Sequence, residues 1–143
     1  MTPQRVTLIT LGVADMARSR KFYADLGWIV TEEQDEVTFY QINGLVLGLF
    51  GVGPLALDQG RPNAKLGTGA MSLAQNFNSE TEVDVAFAAA LAAGATSLKK
   101  PEKVFWGGYS GYYADPDGHV WEVAMNPYWP LNDDGSLTLP GVK

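Results

Sequence analysis

Apolar and polar positions along this chain follow two periods, one of helices and one of strands. Residues 5–13, RVTLITLGV, are rich in β-branched side chains and run into a helix start, which predicts a strand. Asp15 is a good N-cap. The segment after it places Met16, Ser19, Phe22, Tyr23 and Leu26 on one helical face, and Gly27 stops it. Residues 28–31 and 36–42 read as strands. Asn43-Gly44 reads as a type I′ hairpin turn, which needs positive φ at both residues, and 45–52 as the returning strand. Residues 53–68 show no periodicity and carry Gly, Pro and Asn, so they read as a long connector of the kind that covers a site or an interface.

The same order then returns. Residues 69–77 read as a strand, and Ser79 with Glu82 forms a capping box before an alanine-rich helix that ends at Gly94. Short strands follow at 95–99, 108–114 and 119–125, the last two joined by the tight turn Asp115-Pro116-Asp117-Gly118. The tail is Pro-rich, and Tyr128 and Trp129 suggest that it docks. With Asp15 and Ser79 as counterparts, the repeat is about 64 residues. The expected fold is α+β, a single domain over residues 1–143. Two βαβββ modules, 4–52 and 69–127, are joined by the connector 53–68 and followed by the tail 128–143. Together they are expected to form a curved mixed sheet with helices on the convex side and a concave ligand cup.

Composition narrows the chemistry. The formal charge is −6, which disfavours nucleic acid as a partner. The absence of Cys excludes disulfides and thiolate chemistry and fits a reducing, cytoplasmic setting. No apolar run approaches the roughly 20 residues that span a bilayer, so no membrane partner is expected. The single histidine, His119, rules out a multi-histidine metal site within one chain. The glycines at 107, 108 and 111 precede a strand rather than a helix, so no phosphate loop is present.

Several pieces in order carry a resemblance. They are Leu11-Gly12-Val13-Ala14-Asp15 through Phe22-Tyr23 and Leu26-Gly27 in the first half. In the second they are Glu82-Val83-Asp84, Ala93-Gly94-Ala95 and the run from Trp106 to His119. Over about residues 5–127 the chain resembles the vicinal oxygen chelate superfamily, which includes glyoxalase I, ring-cleaving dioxygenases and fosfomycin and bleomycin resistance proteins. The resemblance implies a homodimer and up to four metal ligands on the cup face. Those positions fall on Leu8, Gly48, Ser72 and Glu122, of which only Glu122 is a metal-binding carboxylate. No metal or other cofactor is therefore expected, the alternative being a weakly held divalent metal at Glu122.

Glu122 is the candidate catalytic residue, as a base or as an anchor for a ligand; the plainer reading is a carboxylate bonded to a hydroxyl such as Thr10 or Ser72. If the turn pairs Ala114 with His119, Tyr109 and Tyr113 share the face of Glu122, and Gly111 leaves space beside it; a slip of one residue would swap the faces. Trp106, Tyr109 and Tyr113 would then stack on a flat ligand, with Asn76, Ser72 and Thr10 as polar neighbours. Gly48 would give room, and Phe50 would form a wall. The same aromatics could instead fill the core beneath the helices. The expected function is binding of a small, partly aromatic molecule. The alternative is a lyase, isomerase or dioxygenase-like enzyme that uses Glu122.

Overall fold

The first unit, Met1–Gly67, begins with β1 (Leu8–Val13), α1 (Met16–Asp25), β2 (Glu32–Gln34), β3 (Val37–Ile42) and β4 (Leu45–Gly51), and ends with α2 (Val52–Asp58). The second unit, from Thr68 onward, runs β5 (Ser72–Phe77), α3 (Glu80–Ala92), β6 (Thr96–Lys103), β7 (Tyr109–Ala114) and β8 (Val120–Met125). These come from a computed structural model that describes residues 1–141. The sheets are ordered β1-β4-β3-β2 and β5-β8-β7-β6, with β1/β4 and β5/β8 parallel and the remaining pairs antiparallel. The two units are thus topological copies, as the sequence repeat predicts.

The helices start and stop where local chemistry dictates. The Asp15 carboxylate accepts from the Arg18 N–H at 3.0 Å, and the Ser79 hydroxyl from the Glu82 N–H at 3.1 Å. Glu82 reaches back to the Asn78 N–H at 2.9 Å, one residue before the cap. All three helices end in the same motif. The N–H groups of Trp28, Arg61 and Ala95 return to the carbonyls of Tyr23, Ala56 and Ala90, and the intervening Gly27, Gly60 and Gly94 have positive φ.

Each helix packs on one face of its own sheet. In the first unit, Ser19, Phe22 and Tyr23 of α1 are buried with Leu11, Val13, Thr38, Tyr40, Leu47 and Leu49. Trp28 completes that cluster, 5.4 Å from Tyr23 and 5.6 Å from Tyr40 between ring centres. Arg20 fastens α1 to the β2–β3 hairpin. Its Nε donates to the Thr38 hydroxyl at 2.7 Å, and its guanidinium reaches the carbonyls of Gln34 and Val37. The Tyr40 hydroxyl is buried without a hydrogen-bond partner. In the second unit, Val83, Phe87 and Ala90 of α3 are buried together with Tyr113, Trp121 and Val123, and the Tyr113 and Trp121 rings stack at 6.4 Å.

Several expectations are corrected. Residues 28–31 form no strand; Trp28 is drawn into the core, and the pairing segment is Glu32–Gln34. The connector contains α2, whose Pro54 sits in the first turn, where its missing N–H costs nothing. The strand after α3 runs to Lys103, with register shifts on both sides of Lys99. At the first hairpin only Gly44 has positive φ, so the turn is not type I′. In the tail, the Tyr128 ring lies against Gly107, while Trp129 is partly exposed.

The consequential correction is the register of β7 on β8. Asp115 and His119 are joined backbone to backbone at 2.9 Å, and Gly118 closes the three-residue loop between them with φ 92°. The Asp115 carboxylate braces that loop by accepting from the N–H groups of Asp117 and His119, each at 2.9 Å. Ala114 therefore pairs with Val120 rather than with His119, and every downstream pair moves by one.

Candidate functional site

In the second unit the register sorts the candidate residues by face. Ser72, Ala74 and Asn76 of β5 pair with Val120, Glu122 and Ala124 of β8; across β7, Ala114, Tyr112 and Ser110 oppose those three. These residues share the face away from α3. Tyr109 and Tyr113 do not join them. They lie with Trp121, Val123 and Met125 on the opposite face, where the Tyr109 hydroxyl donates to Asp84 of α3 at 2.7 Å and Tyr113 is buried. The expectation that Tyr109 and Tyr113 flank Glu122 is corrected by the one-residue register change.

Gly111 changes sides too. A Cβ there would come within 2.7 Å of the Pro101 nitrogen and 2.8 Å of the Lys99 carbonyl oxygen, so this glycine serves the close approach of β6 and not a space beside Glu122. The side chain directly across from Glu122 is Tyr112, which was not among the expected site residues. The pKa of the Tyr112 phenol is raised, first by burial, then by the negative charge of Glu122 and by hydrogen bonding towards it. The next residue across the sheet is Lys99, whose Nζ is 3.2 Å from Glu102. The resulting row is Ala74, Glu122, Tyr112, Lys99. Two residues further along, Asn76, Ala124 and Ser110 form a floor of small and amide side chains. Trp106 folds over Gly108, where a Cβ would overlap its ring, and is 37% exposed.

In the first unit, Leu8, Thr10 and Gly12 pair with Val46, Gly48 and Phe50, and β3 contributes Val37, Phe39 and Gln41 to the same face, the one away from α1. Thr10, Gly48 and Phe50 thus share a face, as expected. Gly48 leaves no room, however. A Cβ there would be 3.1 Å from the Phe39 ring and 3.5 Å from Leu8, so these two side chains already cover it. At Gly12 the corresponding space is taken by Val52 and Leu55 of α2. An open concavity beside Phe50 is lined by Gln34, Asp35, Glu36 and Val37.

The donor set for a resident metal is thin. Leu8 and Gly48 offer no side-chain donor, Ser72 offers a neutral hydroxyl, and only Glu122 offers a carboxylate. Among the described residues no three His, Cys, Asp or Glu side chains gather as a metal site would require. No helix among them is long and apolar enough to cross a membrane.

Residues 5–123 match the model of the Glyoxalase/Bleomycin resistance protein/Dioxygenase superfamily. The chain is similar to the crystal structure of a glyoxalase-related enzyme from Fulvimarina pelagi, with 42% identity and a TM-score of 0.90 over 96% of this chain and 99% of that one. A lactoylglutathione lyase from Agrobacterium tumefaciens is 22% identical, with a TM-score of 0.68 over 92% of this chain and 100% of that one. A glyoxalase/bleomycin resistance protein/dioxygenase family enzyme from Burkholderia phytofirmans PsJN is 20% identical, with a TM-score of 0.73 over 83% and 96%. At that level of identity the last two show the fold alone. No curated protein matches the sequence.

Proposed function

The chain belongs to the glyoxalase/bleomycin resistance protein/dioxygenase superfamily, and from that premise we propose that it binds a small, partly aromatic molecule without a resident metal. Glu122 anchors the ligand on the α3-free face of the second sheet. Ser72 and Asn76 flank Glu122 as polar contacts, and Trp106 offers an exposed ring for stacking. In the first unit, Thr10 and Phe50 share the face away from α1, Phe50 beside its own concavity. The observation that carries this reading is the isolation of Glu122. It is the only carboxylate among the four positions at which the family places metal ligands, and a phenol, not a second ligand, sits across from it.

The chemistry open to this face is that of an acceptor. A carboxylate offers lone pairs to a ligand donor, and a half-buried position strengthens that bond relative to water. A second reading follows from the similarity to the Fulvimarina enzyme: a lyase, isomerase or dioxygenase-like activity in which Glu122 takes a proton from a bound substrate or ligates a weakly held divalent metal.

Native mass spectrometry of chelator-treated protein after exposure to a metabolite extract separates the two. Retention of an aromatic metabolite by the wild type and its loss in Glu122→Gln is the expected result. Binding that returns only with stoichiometric zinc, nickel or iron, and that Glu122→Gln abolishes, would overturn the metal-free reading.

A further inference from the structure

We propose that Tyr112 is a positioning residue that aims Glu122 at the ligand, and that the pair selects a molecule bearing a protonated amine or an N–H donor over one bearing a carboxylate or phosphate. This rests on the reading of Glu122 as the ligand anchor. Three observations support it. Tyr112 and Glu122 are directly opposed across β7 and β8, on the sheet face that α3 leaves uncovered. A phenol set opposite a carboxylate can act on it only as a donor, because an ionised carboxylate accepts and does not donate, and one such bond leaves acceptor sites open.

The third observation is the surrounding charge. Lys99, next in the row, spends its ammonium on Glu102 at 3.2 Å. All the arginines lie in the first unit, and residues 68–141 hold nine carboxylates against three lysines. An anion approaching Glu122 meets a carboxylate whose neighbouring lysine in the row is already paired, whereas a cation is drawn to it. Asn76 and Ser110, one step along the sheet, can donate or accept and so impose no opposing preference.

Two fragments with the same ring, 1-naphthylmethylamine and 1-naphthoate, test the proposal by NMR titration of the full chain near pH 7. The amine is expected to bind at least about tenfold more tightly, as a charge-assisted bond allows, and to shift Tyr112, Glu122 and Asn76 signals. Glu122→Gln should erase the preference, and Tyr112→Phe should weaken the amine at least about threefold while leaving the fold intact. A further readout needs no ligand. With tyrosine labelled at Cζ, Glu122→Gln should lower the pH at which the Tyr112 phenol ionises, because the neighbouring charge and the hydrogen bond are lost. Equal or tighter binding of the naphthoate at this face overturns the selectivity and leaves the anchor reading standing. An unchanged preference in Tyr112→Phe, or an unmoved phenol titration, overturns the positioning role. Failure of both fragments to perturb this face overturns the proposal and the anchor reading together.

Discussion

The two units repeat one topology but write opposite chemistry on equivalent rows. In the first, Thr10, Gly48, Phe39 and Glu32 stand side by side across the sheet; in the second, Ala74, Glu122, Tyr112 and Lys99 do. Both rows set an aromatic ring opposite the fourth residue after a turn glycine. In the first unit the ring lies over a glycine and seals the position; in the second, the ring carries a hydroxyl and stands opposite a carboxylate. A duplicated scaffold can therefore hold its backbone constant and still divide the work: one copy fills its face, and the other keeps a polar anchor on it.

The comparison can be broken at its glycines. Gly111 faces backbone, and Gly48 faces a ring that can turn aside. Gly111→Ala should cost about 3 kcal/mol in urea unfolding because neither Pro101 nor Lys99 can give way without moving β6. A cost near that of Gly48→Ala would show that β6 is loosely held.

Alkaline pH tests the buried phenols of both units. Tyr113 is pushed up by burial and then by Asp115; Tyr40 is pushed up by burial, with Arg20 opposing. Because the folded pKa lies above the unfolded value near 10, this stability is complete below pH 10 and is lost as pH rises through the folded value. For Tyr113 the loss should be about 1.4 kcal/mol per pH unit above 10. Tyr113→Phe should flatten the alkaline limb of a stability-against-pH curve, and an unchanged limb would contradict that burial.

Smaller effects separate how the helices are fastened. Arg20→Ala removes the donor that ties α1 to Thr38 and to two hairpin carbonyls, and should cost about 2 kcal/mol. α3 has no such arginine and relies on Val83, Phe87 and Ala90. Hydrogen exchange should therefore quicken in the β2–β3 hairpin of the variant and stay unchanged in the second unit. Gly48→Ala should cost about 1 kcal/mol, the price of displacing Phe39. Tyr40→Phe should be neutral, or stabilising by up to about 1 kcal/mol, since it deletes a buried hydroxyl that has no partner. Destabilisation there would reveal a hydrogen bond to solvent.

Most of the scaffold was legible in the residues. The two N-caps, the glycine stops at Gly27 and Gly94 and the strands β1 and β4 each depend on neighbours close in sequence, and each appeared within the expected segment. The site was less legible because it depends on a count across a turn. A four-letter DPDG run does not reveal whether the loop holds three residues, and Gly118 with positive φ settles it by moving Tyr112, not Tyr113, beside Glu122. Phe39 over Gly48 was hidden for another reason: a small residue looks the same in sequence whether its space is empty or filled from the adjacent strand. The helix α2 did leave a trace, in Leu55-Ala56-Leu57 ahead of Gly60, but Pro54 and the surrounding glycines masked it.

Each sheet has two outermost strands, and the two that are farther from the parallel pair, β2 and β6, share a property. An unpaired strand margin invites another chain to zip onto it. β2 is only three residues long and carries Glu32 and Glu33, while β6 is broken by register shifts and presents Lys99, Lys100 and Pro101, the last with no N–H to offer. Each margin thus resists recruitment into fibrils by its own means, one through brevity and negative charge, the other through irregularity and lysines.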